Sequence, residues 1–138
     1  MNYEIKISAK NLPVMDIGGS SDPYFKVFVD DIERYKSKAI KNELNPSWDT
    51  FKINMQAWEE CGAGNWLAFN DGKSCNVSIS SMLRFEVFDK DLLKDDFMGL
   101  ATLNVTDLTS SDHKDLQLTD RKGTVDKGCL KIRIANSY

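Results

Sequence analysis

Apolar and polar residues alternate with a period of two at the start of the chain, and the same pattern returns in short segments along its length. In the first segment, Tyr3, Ile5, Ile7 and Ala9 alternate with charged or polar residues. Such alternation is typical of a β-strand with one buried face. Seven further segments are rich in Val, Ile, Phe or Leu; they span residues 24–29, 34–41, 49–55, 83–88, 99–105, 114–118 and 129–135. Eight short strands predict an all-β fold, an eight-stranded antiparallel β-sandwich.

Residues 56–76 interrupt this pattern and form a long insertion between the fourth and fifth predicted strands. Loops of this length usually pack on themselves or carry a function. We expect Trp58, Trp66 and Phe69 to pack the insertion onto the sandwich, and a binding site in the insertion is the alternative.

Length and charge exclude several classes of protein. A chain of 138 residues predicts one domain, residues 1–138, and a net charge of −3 argues against binding to nucleic acids. No apolar run approaches the roughly 18 residues of a transmembrane helix, and the first residues lack the apolar core of a signal peptide. The odd number of cysteines (Cys61, Cys75, Cys129), without metal-ligand spacing, fits reduced thiols in the cytoplasm.

Catalysis has little support in this sequence. His113, the single histidine, lies in a polar segment. The chain has neither a Gly-x-Ser-x-Gly motif nor a glycine-rich phosphate loop. We therefore expect a protein that is not an enzyme and has no catalytic residues.

Six aspartates concentrate in the first and fifth connections between the predicted strands; they are Asp16, Asp22, Asp89, Asp91, Asp95 and Asp96. Successive connections of an antiparallel meander alternate between the two ends of the sheet, so the first, third and fifth connections share one end. We call this end the acidic rim, and it comprises residues 16–22, 42–46 and 89–96. The connection near residues 30–33 and the insertion are expected at the opposite end.

Crowded carboxylates repel one another, and a divalent cation removes that repulsion. Ca²⁺ accepts six to eight oxygen ligands in flexible geometry, whereas Mg²⁺ requires a stricter octahedron. Zinc lacks its Cys and His ligands here. An EF-hand is excluded because Leu93 stands at a ligand position and Lys94 at the position of the required glycine. The alternative is that these aspartates only shape turns.

Several motifs, in this order along the chain, resemble those of the C2 domain, a calcium-dependent phospholipid-binding module. They lie at residues 11–16, 18–24, 44–48, 83–91 and 95–99. The resemblance implies a Greek-key β-sandwich. The first strand leads directly into the first calcium loop. This order of strand and loop resembles the circularly permuted type II topology of the family.

The resemblance also implies a metal site for Ca²⁺, with two ions expected. Its ligands would be the carboxylates of Asp16, Asp22, Asp89, Asp91 and Asp96 and the backbone carbonyls of Met15 and Lys90. The third loop is one residue shorter than the commonest form in the family, so Asp95 and Asp96 are alternatives for the fifth carboxylate. Lys94 lies near a position where an oxygen ligand often occurs in the family, which argues against a third ion.

Two Ca²⁺ ions would add four positive charges to the net charge of −3 and bring it to +1, which would attract anionic lipids. Ile17, Leu92 and Leu93 lie beside ligand positions, and we expect them to insert into the membrane. Each of these side chains, if fully buried in the membrane, contributes about 1.5–3 kcal/mol to the free energy of membrane binding. The alternative is that all three fold back onto the protein.

A second lipid contact is expected at the lysine face, which comprises Lys26, Lys36 and Lys38, with Arg34 alternating onto the same side. A similar lysine cluster binds phosphoinositides in the C2 family. The alternative is a solvated strand face that discourages edge pairing.

These inferences predict a monomeric, non-catalytic module that binds phosphatidylserine, and phosphoinositides at the lysine face, in a calcium-dependent manner. It would be cytoplasmic and recruited to the plasma membrane or to vesicle or phagosome surfaces when calcium rises. The alternative is a calcium-independent phosphoinositide- or protein-interaction domain, such as the targeting part of a larger signalling enzyme like a kinase.

Overall fold

Ten β-strands and one short helix make up the part of the chain that the computed structural model describes, residues 2–14, 21–57, 65–69, 74–78, 80–110 and 112–137. The elements are β1 (Asn2–Lys10), β2 (Pro23–Val29), β3 (Ile32–Lys36), β4 (Phe51–Ala57), β5 (Asn65–Phe69), β6 (Ser74–Val77), β7 (Met82–Asp89), β8 (Asp96–Asn104), α1 (Asp107–Ser110), β9 (His113–Thr119) and β10 (Val125–Ser137). In these residues no helix has the length and apolar character needed to cross a membrane.

The strands are antiparallel and follow the order β3-β2-β7-β8-β9-β10-β1-β4-β5-β6. A single residue pair, Leu100 with Thr119, joins β8 to β9. This narrow joint separates the four strands β3-β2-β7-β8, which we call the first layer, from the other six, which we call the second layer. Phe25 of β2 packs against Trp48 and Phe51 of the second layer, with ring centroids 5.0 and 5.8 Å apart. The predicted antiparallel β-sandwich is confirmed.

The core between the layers follows the period-two pattern. In β1, the alternate residues Tyr3, Ile5, Ile7 and Ala9 are at most 3% exposed. Their neighbours on the other side of the strand are only partly buried. Burying a large apolar side chain stabilises the fold by about 1.5–3 kcal/mol. This pattern therefore fixes which face of the strand points inward.

The insertion contains two strands that the sequence pattern did not predict, so the strand count rises from eight to ten. β5 pairs with β4 and β6 pairs with β5. Phe69 is buried, as expected, and so are Cys75 and Val77. Trp58 and the side chain of Trp66 lie outside the described part of the chain. The insertion therefore extends one sheet and contributes to the core.

The β5–β6 hairpin lies in the half of its sheet away from the acidic rim. Phe69 pairs with Ile53, and Ile53 pairs with Tyr3. From Tyr3, β1 runs on to Lys10 near the acidic rim, about 24 Å farther at the usual rise per residue. We therefore expect the hairpin to support stability and to take no part in events at the acidic rim.

Replacing Val77 by Ala should lower the free energy of unfolding by about 2 kcal/mol, because the change removes buried methyl groups and leaves a small cavity. Val125→Ala is the matched control. Val125 is 55% exposed, and its loss should change stability by less than about 0.5 kcal/mol. Urea denaturation measures both. Equal effects of the two changes would contradict the placement of β6 in the core.

Candidate functional site

The loops predicted to share the acidic rim are joined by backbone hydrogen bonds. The Lys90 N–H donates to the Asp22 carbonyl oxygen at 3.0 Å, which ties the fifth predicted connection to the first. The Glu43 N–H donates to the Ser21 carbonyl oxygen at 2.9 Å, which ties residues 42–46 to the first connection as well. The first, third and fifth predicted connections therefore lie at the same end of the sandwich, as the alternation of connections predicts.

Strand pairing places three of the predicted ligands at neighbouring positions. Asp89 ends β7 and lies opposite Pro23 on one side and Asp96 on the other. Its side chain is fully buried, and its Oδ1 accepts the Asp22 N–H at 2.8 Å. Asp96 is the first residue of β8, so this strand begins three residues before the predicted start at residue 99. The sheet itself therefore holds Asp22, Asp89 and Asp96 near one another.

Asp22 and Asp91, two of the predicted ligands, also accept hydrogen bonds from backbone N–H groups of the acidic rim. Asp22 Oδ1 accepts the Asn42 N–H at 2.9 Å, and Asp91 Oδ1 accepts the Leu92 N–H at 2.6 Å. Across the described ranges, no three His, Cys, Asp or Glu side chains form a group that could hold a metal ion. Met15 and Asp16 lie outside these ranges. The predicted donors are all oxygens, which fits a hard cation such as Ca²⁺.

Asp95 makes contacts that differ from those of the other carboxylates. Its Oδ2 accepts the hydroxyl hydrogen of Tyr24, and its Oδ1 accepts the Asp91 N–H at 3.0 Å. The hydrogen bond from Tyr24 is the main reason that the pKa of Asp95 lies below its usual value. Burial, and then the bond to Asp95, raise the pKa of Tyr24 well above its usual value. At neutral pH the phenol therefore remains a donor and the carboxylate an acceptor.

The tip of the same loop is apolar. Leu92 and Leu93 are each 99% exposed and follow Asp91 directly. These two leucines do not fold back onto the protein, so the alternative of packing against the fold does not apply to them. Ile17, the third predicted insertion residue, lies outside the described residues.

Two members of the lysine face lie opposite each other. Lys26 and Lys36 are paired residues of β2 and β3. Lys36 Nζ lies 5.0 Å from the ring centroid of Tyr24, and Lys26 Nζ lies 5.3 Å from that of Phe88. Lys26 also forms an ion pair with Glu33 at 2.9 Å. Both ammonium groups therefore lie over aromatic rings on the outer side of the first layer.

The third strand differs from its predicted span of 34–41. β3 ends at Lys36, and Lys38 lies exposed just beyond it. The pairing with β2 shifts between Glu33 and Tyr35, so Arg34 is the extra residue of a β-bulge. The Nε atom of Arg34 is buried, and its charge partly offsets the rise that burial causes in the pKa of Cys75. Arg34 therefore does not share the lysine face, and that prediction is wrong.

A groove of about 660 Å³ joins the acidic rim to the lysine face. Asp22, Asp91 and Leu92 are among the residues that line it. Four lysines also line the groove; they are Lys36, Lys38, Lys41 and Lys90. Lys41 and the Lys90 side chain were not among the predicted contacts. Lys41 continues the run of basic residues that includes Lys36 and Lys38, and this run was the available signal.

Comparison with known proteins gives a consistent family. The C2 domain family model matches residues 4–119. The "Calcium-dependent lipid-binding protein" of Arabidopsis thaliana is 33% identical over 113 residues, covering 81% of this chain and 18% of that protein. "Multiple C2 and transmembrane domain-containing protein 2" of Mus musculus is 36% identical over 99 residues, covering 72% of this chain and 9% of that protein. The chain thus spans less than a fifth of either relative.

Solved structures agree on the fold. A structure described as "Structure of a C2 domain" has a TM-score of 0.62 at 22% identity and covers 100% of this chain and 99% of its own. A calcium-bound structure of two domains of Extended-Synaptotagmin 2 gives a TM-score of 0.63 at 24% identity, covering 96% of this chain and 44% of its own. The type II topology stays a prediction. With the family model spanning most of its length and relatives above 30% identity, the chain belongs to the C2 domain family.

Proposed function

We propose that this C2 domain binds Ca²⁺ at the acidic rim and thereby attaches to anionic membranes, without catalysis of its own and as a monomeric single domain. The observation that carries the proposal is the composition of the loop after β7. Asp91, a predicted ligand, is followed directly by two leucines that are each 99% exposed. Exposed apolar side chains of this size on a loop tip are costly in water and suit insertion into a membrane interface.

The proposed ligands are the predicted set. The carboxylates of Asp16, Asp22, Asp89, Asp91 and Asp96, with the carbonyls of Met15 and Lys90, would hold two Ca²⁺ ions. The pairing of Asp89 with Asp96 supports Asp96 as the fifth carboxylate. Asp95 is a weaker candidate, because both of its oxygens already accept hydrogen bonds.

The groove supports a lipid headgroup site beside the metal site. With two ions bound, the net charge would change from −3 to +1, and the gain would fall on the acidic rim. Lys41 and Lys90 would then meet the headgroup of phosphatidylserine, and the lysine face would meet phosphoinositides. The name of the Arabidopsis thaliana relative, a calcium-dependent lipid-binding protein, supports this reading. The module would move from cytoplasm to membranes, such as the plasma membrane or vesicle and phagosome surfaces, when calcium rises.

A calcium-independent interaction domain is the second candidate. It is favoured by the absence, in the described residues, of three metal-binding side chains that already converge. Titration calorimetry with Ca²⁺ separates the candidates. The first predicts saturable heat that Asp91→Asn reduces, and the second predicts no heat.

The lysine face should contribute mainly through long-range charge. Each basic residue near an anionic membrane is worth about 1 kcal/mol, so Lys36→Ala with Lys38→Ala should weaken binding to phosphoinositide vesicles roughly 30-fold at low salt. The loss should shrink near 0.15 M salt, where the Debye length is about 8 Å. Vesicle sedimentation over a salt series measures this.

Lys52→Ala with Lys114→Ala provides a control of equal charge on the second layer. This variant should bind the same vesicles nearly as well as wild type. Equal losses in the two double variants would show that net charge, rather than the lysine face, governs attachment.

A further inference from the structure

We infer that Tyr24 and Asp95 are positioning residues that hold Asp91 in place for the metal site. The inference rests on the proposed function, because it concerns how the calcium-binding loop is ordered. It assigns Asp95 a role that requires no contact with the ion.

Asp91 lacks the support that the other described ligand candidates receive from the sheet. Asp89 and Asp96 occupy paired positions of β7 and β8, and Asp22 directly precedes β2. Asp91 instead lies two residues past the end of β7, and its side chain is exposed. Its orientation therefore depends on the loop of residues 90–95.

Asp95 closes this loop. Its Oδ1 accepts the Asp91 N–H at 3.0 Å, so the chain from Asp91 to Asp95 forms a turn held by a side chain. Within the turn, the Leu92 N–H donates to Asp91 Oδ1 at 2.6 Å, which orients that carboxylate. Aspartate side chains that bond to nearby backbone N–H groups commonly stabilise turns in this way.

Tyr24 fixes the closed loop to the sheet. Its hydroxyl donates to Asp95 Oδ2, while the residue as a whole is 3% exposed within β2. The ring stacks on Phe88 with centroids 5.6 Å apart and planes 20° apart, and Lys36 lies over it at 5.0 Å. The hydroxyl is therefore held by a rigid strand rather than by another loop. A ligand positioned before the ion arrives binds more tightly than one that must be ordered on binding.

Tyr24→Phe tests the inference, because it removes the hydroxyl and keeps the ring and its stacking. We expect Ca²⁺ affinity by calorimetry to fall about three- to tenfold, in line with the loss of one hydrogen bond to a loop. In calcium-free protein, exchange of the Asp91 amide hydrogen measured by NMR should become faster. Tyr35→Phe is the control: its ring stacks on Phe51 at 4.3 Å, away from the loop, and both quantities should remain at the wild-type values.

Asp95 variants separate positioning from direct binding to the ion. Asp95→Ala should weaken Ca²⁺ binding at least as much as Tyr24→Phe. Asp95→Asn should restore affinity to within about twofold of wild type, since the amide oxygen can accept from Asp91 and the amide nitrogen can donate to Tyr24. If Asp95→Asn loses as much affinity as Asp95→Ala, Asp95 is itself a ligand and the inference is overturned.

The remaining outcomes distinguish this inference from the proposed function. A wild-type chain that gives no calcium heat overturns both. A wild-type chain that binds Ca²⁺, together with Tyr24→Phe and Asp95→Ala variants that bind it equally well, overturns the positioning role alone. Weaker affinity accompanied by unchanged exchange of the Asp91 amide hydrogen also contradicts it, because the loop would then not have been released.

Discussion

Saturating Ca²⁺ should raise the melting temperature of this domain by about 5–15 °C, and Asp91→Asn should remove most of the rise. A ligand that binds only the folded state adds about 2.7–4.1 kcal/mol of stability at 100 to 1,000 times its dissociation constant, which corresponds to such a shift in a domain of this size. Asp91 is exposed, so the substitution should leave the calcium-free fold intact. In the proposed site Asp91 and Asp89 would each bridge two ions, so one amide would weaken both positions.

Two further variants define this prediction. Asp89→Asn should also abolish most of the shift, and its amide oxygen can still accept the Asp22 N–H that the buried carboxylate accepts at 2.8 Å. Asp115→Asn removes the same charge from an exposed position on β9 and should keep the full shift. Differential scanning calorimetry with Ca²⁺ and with a chelator measures all four proteins. A wild-type melting curve that millimolar Ca²⁺ leaves unchanged would rule out the metal site.

Replacing Leu92 and Leu93 together by Ala should weaken vesicle binding strongly while leaving calcium affinity in solution nearly unchanged. Both leucines are 99% exposed, so neither contributes buried area to the fold that its loss would remove. If both insert fully, the loss is about 3–6 kcal/mol. Partial insertion would still leave at least a tenfold change in vesicle affinity. This loss should persist at high salt, because burial of apolar surface is not screened as charge is.

Ile32→Ala with Met82→Ala is the matched control for the leucine pair. These residues are 55% and 38% exposed and lie at the end of the sandwich opposite the acidic rim. Their loss should not affect vesicle binding. If the double-leucine variant binds vesicles as well as wild type at every salt concentration, insertion fails as an explanation, and attachment rests on Ca²⁺ and lysines.

Much of the fold follows from local pattern and from the rule that connections alternate between ends. The alternation in β1 identified Tyr3, Ile5 and Ile7 as core residues, and all are buried. The grouping of the first, third and fifth connections is confirmed by the bonds that join Lys90 to Asp22 and residues 42–46 to Ser21. These features depend on side-chain period and strand direction, which a sequence displays directly.

The features that the sequence did not reveal depend on contacts between distant residues. The strands β5 and β6 have only five and four residues, and segments this short carry a weak strand signal in the sequence. Their hairpin is stabilised by pairing with β4, which the local pattern does not show. The bulge at Arg34 changes which side of the strand a residue faces without altering the residue pattern. Tyr24 and Asp95 are separated by 71 positions, and their hydrogen bond exists only because β2 and β7 pair.

Cosedimentation with phosphatidylserine-containing vesicles, in Ca²⁺ and in a chelator, tests the central claim most directly. Vesicles of phosphatidylcholine alone serve as the uncharged control. The account predicts that wild-type protein pellets with the anionic vesicles only when Ca²⁺ is present, and that Asp91→Asn remains in the supernatant under both conditions. Equal binding with and without Ca²⁺, or no binding to anionic vesicles at saturating Ca²⁺, would contradict it.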